Sequence, residues 1–264
     1  MTQTPLEPPR LERAEIGART LRTDNWRRQP MINGAILLVF VVYATWAILV
    51  NENYFVEPYI SPFYSPCLVT TCAEGAGWQF VPWVAWLTPS ILIIGVPMGF
   101  RMTCYYYRKA YYRSIWQSPT ACGVKEPHKK YTGETRFPLI IQNVHRYFFW
   151  VATLFNIILT WDAIIAFRDH EGNWGHMGLG TLVLLINAVL LWAYSLSCHA
   201  CRHTFGGRLK HFSKAPVRYW MWTQITRLNA KHMEIAWVSL VWVGLTDLYI
   251  RLVASGTITD IRFF

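Results

Sequence analysis

The sequence predicts an all-α integral membrane protein, a bundle of five transmembrane helices with a cytoplasmic amino terminus and an outside carboxyl terminus. Three observations carry this. The 264 residues are 53% hydrophobic and only 15% charged, whereas a soluble domain carries about 25% charged residues; the same apolarity excludes disorder. Several uncharged stretches reach the roughly 18 residues that a membrane-crossing helix needs. The formal net charge is +10, from 25 Lys and Arg against 15 Asp and Glu, and the basic residues gather on one side of those stretches.

Taken in order, residues 1–28 form a polar, Arg-rich cytoplasmic segment. No small-residue cleavage site follows the first apolar stretch, so no cleavable signal peptide is expected. The membrane domain covers 29–254, with spans at about 29–51, 79–100, 137–167, 178–198 and 232–253, and 255–264 form an outside tail. The first two spans lie in uncharged stretches (29–51 and 75–100), and Asp162 alone interrupts 147–167. The fourth span carries no charge, while the fifth contains Glu234, Asp247 and Arg251.

Orientation follows from the flanks, because Lys and Arg near helix ends stay cytoplasmic. Residues 1–30 hold six, 101–146 nine and 199–231 seven, together 22 of the 25, leaving Arg168, Arg251 and Arg262 on the other side. Ends on opposite sides require an odd number of crossings, which agrees with five. Positive-inside bias accounts for the charge without nucleic acid, since no recognition-helix context surrounds it. Residues 101–116 (RMTCYYYRKAYYRSIW) read as the second helix continuing out of the bilayer, with tyrosines at headgroup level. Residues 216–231 (PVRYWMWTQITRLNAK) read as the last helix starting inside the cytoplasm. This cationic face suits anionic membrane lipid or a soluble partner.

Topology divides the six cysteines. Cys67 and Cys72 lie in the outside loop, where oxidising conditions favour a local disulfide over two free thiols. Cys104, Cys122, Cys198 and Cys201 are cytoplasmic, where metal binding or inert burial are the alternatives. Several potential ligands fall at nearly one depth: Cys104 past span two, His145 before span three, Cys198 and Cys201 closing span four, and His232 opening span five. Cys198 and Cys201, three apart, share a helix face and bring two sulfurs within reach of one iron or zinc. His199 and His203 share a different face. This is the inventory of a two-Cys, two-His site. Cys-x-x-Cys is followed by Arg202, so covalent c-type haem is excluded. One haem b fits between His145 and either His232 or His203. A second does not, because the outer halves of the spans hold no His, and His170 and His176 lie in the outside loop.

Intramembrane acids default to a functional reading. Asp247 stands four before Arg251 and predicts an intrahelical ion pair. Asp162 has no local partner, leaving a proton relay or an interhelical charge pair. Glu234 either carries protons or pairs with Lys231.

The segments RMTCYYYRKAYYR, KYTGETRFPLIIQNVHRYFF, SLSCHACRH, GGRLKHFSKAPVRYWMWTQ and SGTITDIRFF are long and unusual. From about Arg19 to its end the chain resembles the cytochrome b-like membrane anchor of the actinobacterial-type succinate dehydrogenase. The resemblance implies a multi-pass plasma-membrane component of succinate:quinone oxidoreductase. A flavoprotein subunit oxidises succinate, an iron–sulfur subunit relays electrons, and this chain, with no succinate-oxidising residues of its own, anchors them and reduces a quinone, menaquinone. A higher oligomer of the whole complex is compatible with it. The five-helix anchors of related quinol:fumarate reductases resemble dihaem cytochromes with two His ligands on each side, a pattern from which this sequence departs. The actinobacterial family is associated instead with a Rieske-type [2Fe–2S] cluster, in which His replaces Cys on one iron. That implies Cys198 and Cys201 on one iron and His145 and His232 on the other, with Cys104, Cys122 and His203 as alternates. A quinone site needs an apolar slot, an aromatic wall and hydrogen-bond donors; near the electron donor the candidates are Trp26, Arg27, Arg28, Arg101, Tyr105 and Arg146. The competing readings are a one-haem cytochrome b and a non-redox membrane protein with a structural zinc site.

Overall fold

A computed structural model describes residues 13–15, 18, 22–84, 86–128, 135–137, 139–169 and 171–264. Arg10, Arg19, Lys129, Lys130, His170 and positions 130–134 and 138 of one resembling segment lie outside the described residues. The described chain is helical: α1 (Arg28–Val50), α2 (Ser90–Ile93), α3 (Gly95–Thr103), α4 (Tyr105–Ser114), α5 (His145–Ile165), α6 (Leu179–Leu196), α7 (His199–Gly206), α8 (Pro216–Asn229) and α9 (His232–Ala254). A 3-10 run, Leu139–Val144, leads into α5, and a hairpin of β1 (Phe55–Val56) and β2 (Tyr59–Ile60) follows α1.

Four described helical stretches are long and apolar enough to cross a membrane: Arg28–Val50, Leu139–Ile165, Leu179–Leu196 and His232–Ala254. They coincide within a few residues with the expected spans 29–51, 137–167, 178–198 and 232–253. The expected span 79–100 is not one helix. Gly75, Gly77 and Gln79 adopt positive φ, Val69 and Val81 form an isolated bridge, and the helix begins only at Ser90, behind Pro89. Apolar composition is blind to Pro82 and Pro89, which lack the N–H that a helix interior requires. The helix then continues beyond the expected end and breaks at Cys104, whose backbone is extended (φ −67°, ψ 133°).

The segment 101–116 therefore does not project from the bundle as a straight extension. Its α4 portion packs along the first half of α1, where Ser114 Oγ donates to the Pro30 carbonyl at 2.5 Å. Tyr107 and Tyr112 are buried rather than serving as headgroup anchors, while Tyr105 is exposed. The expected continuous helix from 216 is likewise divided, with Ala230 and Lys231 separating α8 from α9.

α6 sits between α5 and α9, α3 packs on α5, and α7 packs on α8. Gly99 sets the α3–α5 approach: a Cβ there would stand 2.4 Å from the Phe148 ring. At the end where α1 finishes, a disulfide joins Cys67 and Cys72, and Tyr54 stacks on Tyr64 with ring centroids 4.0 Å apart. Tyr64 donates to the Ala47 and Ile48 carbonyls at the last turn of α1. The carboxyl-terminal tail folds back onto the start of α6, where Asp260 accepts from the Gly180 N–H at 2.9 Å and the Tyr59 hydroxyl at 2.7 Å. A carboxylate suits a helix amino terminus, where unpaired N–H groups gather. Burial pushes the Tyr59 phenol up to about 12, so it stays a donor to Asp260 at neutral pH.

Candidate functional site

Four junctions between helical elements converge on one cluster. Cys104 lies between α3 and α4, His145 opens α5 after the 3-10 run, Cys198 caps α7 after α6, and His232 opens α9 after α8. At a helix boundary the backbone leaves helical geometry, as at Cys104 and Cys198, both extended. These sulfurs turn into the core instead of lying along a helix face, and both are buried.

The side chains pair thiol to imidazole. His145 Nε2 is 3.1 Å from Cys198 Sγ, and His232 Nε2 is 3.6 Å from Cys104 Sγ. The other nitrogen of each ring meets a hydroxyl: His145 Nδ1 lies 2.8 Å from Thr103 Oγ1, and His232 Nδ1 2.7 Å from Ser197 Oγ. Both hydroxyls spend their own protons on backbone carbonyls, Thr103 on Gly99 and Ser197 on Tyr194. With its proton on the carbonyl, each hydroxyl accepts from Nδ1–H, and in that tautomer the Nε2 lone pair faces sulfur. Each ring is also stacked, His145 on Phe100 at 4.9 Å and His232 on Tyr194 at 5.2 Å.

These contacts follow a repeat that the Cys and His positions alone do not reveal. Phe100-x-x-Thr103-Cys104 and Tyr194-x-x-Ser197-Cys198 share the pattern aromatic-x-x-hydroxyl-Cys. In each half the aromatic ring and the hydroxyl hold the half's own histidine, and the cysteine faces the histidine of the other half. The signal in the sequence is a hydroxyl residue directly before each of these two cysteines.

Cys201 is buried in the same cluster, but in the first turn of α7, whereas Cys198 is its extended cap. Burial pushes the Cys201 thiol up to about 11. Cys122 and His203 are exposed, and no described contact joins either to the cluster. Among the described residues no group of three or more His, Cys, Asp or Glu is spaced as a closed metal centre. The chemistry of the donors nonetheless fits a metal group: two imidazoles, each held at Nδ1 by a hydroxyl, and two buried thiols facing their Nε2 atoms.

Beside the cluster lies a cavity of about 370 Å³, lined by Leu37, Phe100, Arg101, Tyr107, Asn156 and Tyr194 among others. Phe100 and Tyr194 form the wall between it and the imidazoles. Of the expected quinone residues, Arg101 alone lines this cavity. Its guanidinium donates to Tyr107 Oη at 2.5 Å and Ser239 Oγ at 2.9 Å, and lies 4.9 Å above the Tyr194 ring. Trp26 is half-buried under Arg27, whereas Arg27, Arg28, Tyr105 and Arg146 are exposed, Arg146 lying over Tyr147.

The membrane acids have structural partners. Asp247 and Arg251 form a buried ion pair at 2.8 Å. Tyr43 and Ser61 donate to the Asp247 carboxylate, and Arg251 donates to the Ala47 and Glu52 carbonyls. Asp162 accepts from Ser65. Glu234 is exposed, and among the described residues no ion pair joins it to Lys231.

The family profile described as actinobacterial succinate dehydrogenase subunit SdhC matches residues 28–256. Among solved structures, a chain of the Mycobacterium smegmatis Sdh1 complex in the apo form is 54% identical, with a TM-score of 0.88, covering 97% of this chain and 98% of that one. No curated protein matches the chain.

Proposed function

Because this chain belongs to the SdhC family of actinobacterial succinate dehydrogenase, we propose that it passes electrons within that complex, from the iron–sulfur subunit to menaquinone, using a Rieske-type [2Fe–2S] cluster. It is a multi-pass plasma-membrane protein, and its partners are the other subunits of a succinate:quinone oxidoreductase. The observation that carries the redox reading is the duplicated arrangement at the helix junctions, in which Nδ1 of His145 and His232 meets a hydroxyl and Nε2 faces Cys198 and Cys104. These four residues would hold the cluster, with Cys104 rather than Cys201 as the second sulfur. Such a group supplies one-electron transfer at the raised potential that imidazole ligation confers.

The chain's own residues set the conditions for that transfer. Thr103 and Ser197 hold the Nδ1 protons and aim Nε2 inward. Phe100 and Tyr194 fix the ring planes and, with the buried cluster around them, keep water away. Arg101 supplies positive charge at the adjoining cavity, where an accepting quinone gains negative charge.

The chain then crosses five times, with α2 to α4 counting as one crossing. Ser114, at the end of α4, reaches Pro30 at the start of α1, and Ser90, at the start of α2, donates to the carbonyl of Phe63, whose ring packs on Phe40 and Tyr43 of α1. With the basic end cytoplasmic, the cluster lies on the side where the iron–sulfur subunit would dock. The test is the purified complex reduced with dithionite. The expected result is a Rieske-like EPR signal of low average g; a haem Soret and α band without that signal would point to cytochrome b, and silence in both to zinc.

A further inference from the structure

The two halves of the duplicated motif treat their cysteines alike except at one atom. Cys104 and Cys198 each stand at the amino-terminal cap of a helix, α4 and α7. Each sulfur receives backbone N–H groups from the first turn, those of Tyr106 and Tyr107 for Cys104 and those of Ala200 and Cys201 for Cys198, the Ala200 bond being 3.4 Å long. The N–H groups gathered at a helix start favour a sulfur that carries negative charge. The stacking ring breaks the equivalence, because it is Phe100 in one half and Tyr194 in the other. The phenolic hydroxyl of Tyr194 is the added atom.

Tyr194 is 2% exposed, and among the described residues no oxygen or nitrogen accepts from its hydroxyl. What the hydroxyl meets is the sulfur of Cys104. The ring that aims it is held on several sides. It stacks on His232 with centroids 5.2 Å apart, Phe100 leans against it at 5.2 Å and Tyr107 at 6.0 Å, and the Arg101 guanidinium lies 4.9 Å from its centre. A buried hydroxyl needs an acceptor. A thiol is a weak one, whereas a metal-bound sulfur has lost its proton and carries charge, so the bond strengthens when the site is loaded.

We propose that Tyr194 sets the reduction potential of the iron–sulfur group by donating its phenolic hydrogen bond to the Cys104 sulfur, a bond that Phe100 does not offer to Cys198. Hydrogen bonds to the sulfurs are one of the levers on a cluster's potential. On reduction one electron enters, no bond breaks, and the phenolic proton stays on the tyrosine oxygen. The added negative charge spreads onto the sulfurs. A donor at Cys104 therefore stabilises the reduced state more than the oxidised one and raises the potential. The Arg101 guanidinium beside the ring acts in the same direction, as a positive charge near the same sulfur.

The proposal rests on the reading of this site as a Rieske-type cluster. The experiment is a potentiometric EPR measurement on the whole complex carrying Tyr194→Phe, which reproduces the ring that the other half already uses, with Phe100→Tyr as its reciprocal. Tyr194→Phe should keep the Rieske-like signal per complex and lower the reduced-to-oxidised ratio at a fixed poise about 3- to 10-fold, the worth of one hydrogen bond. For a one-electron couple that is a midpoint about 30–60 mV lower. Pulsed EPR before and after exchange into heavy water should show one exchangeable proton coupling fewer than in the wild type. Phe100→Tyr, which by the repeat offers a hydroxyl to Cys198, should move the midpoint upward. An unchanged midpoint in Tyr194→Phe with the signal kept overturns the proposal. If that variant holds no cluster, Phe100→Tyr decides, a raised midpoint supporting the proposal and an unchanged one overturning it. A wild-type complex that passes electrons from succinate to a soluble dye but shows no Rieske-like signal overturns the underlying functional reading instead.

Discussion

At the scale of single residues, the hydroxyls of Thr103 and Ser197 decide what the histidines can do. Outer-shell partners of ligating histidines typically change metal affinity 10- to 100-fold. Thr103→Val, which keeps the shape and removes the acceptor, should weaken retention of the cluster on this chain to that extent, read as the intensity of the Rieske-like EPR signal per complex, while Thr103→Ser should retain it. Equal signal in both variants would mean that the hydroxyl does not position His145. The Asp247–Arg251 pair is a separate residue-scale device, joining α9 to the end of α1 and the hairpin loop. Removing one member of a buried pair leaves an uncompensated charge, worth about 3–5 kcal/mol. Arg251→Ala should therefore lower the thermal midpoint of the solubilised complex markedly, and a change below about 1 kcal/mol would contradict the burial. This pair is legible from its i, i+4 spacing alone. The histidines and Cys198 are legible from depth, because helix boundaries are visible where apolar runs end. Thr103 and Ser197 are not, since a hydroxyl beside a cysteine does not reveal which ring it meets across the bundle.

At the scale of elements, the second crossing departs from its expected position because a count of apolar residues ignores backbone chemistry. Residues 79–89 are apolar enough for a span, yet Pro82, Pro89 and the left-handed backbone at Gln79 oppose a helix there, and the helix shifts to Ser90–Ser114. Cys104 still stands just past the end of a helix, as its expected position beyond span two implies, now as the extended residue between α3 and α4. The α3–α5 contact depends on Gly99, where Phe148 leaves no room for a side chain. Gly99→Leu overpacks this seam, at a cost of about 1–3 kcal/mol, and moves His145 away from Thr103. Thermal stability and the Rieske-like EPR signal per complex should fall together; a variant that loses stability with the full signal would separate the seam from the site.

At the scale of the whole molecule, 22 of 25 basic residues lie in three segments, and that asymmetry is the argument for orientation. It is legible in the sequence because it depends on composition and spacing, not on packing. The architecture places the His and Cys cluster toward the basic end and the disulfide-bonded hairpin region toward the other. In intact cells a membrane-impermeant maleimide should label Ser255→Cys directly and the exposed Cys122 only after permeabilisation; the reverse pattern would invert the topology. The duplicated motif is also a property of the whole chain, since each half supplies a cysteine to the other half's histidine. The measurement closest to the central claim is pulsed EPR of the dithionite-reduced complex, which resolves nitrogen couplings from imidazole ligands. Two such couplings are predicted in the wild type, with one lost in His145→Cys and one in His232→Cys. A reduced complex that shows no imidazole nitrogen, or keeps both in either variant, would contradict the assignment of these histidines to the cluster.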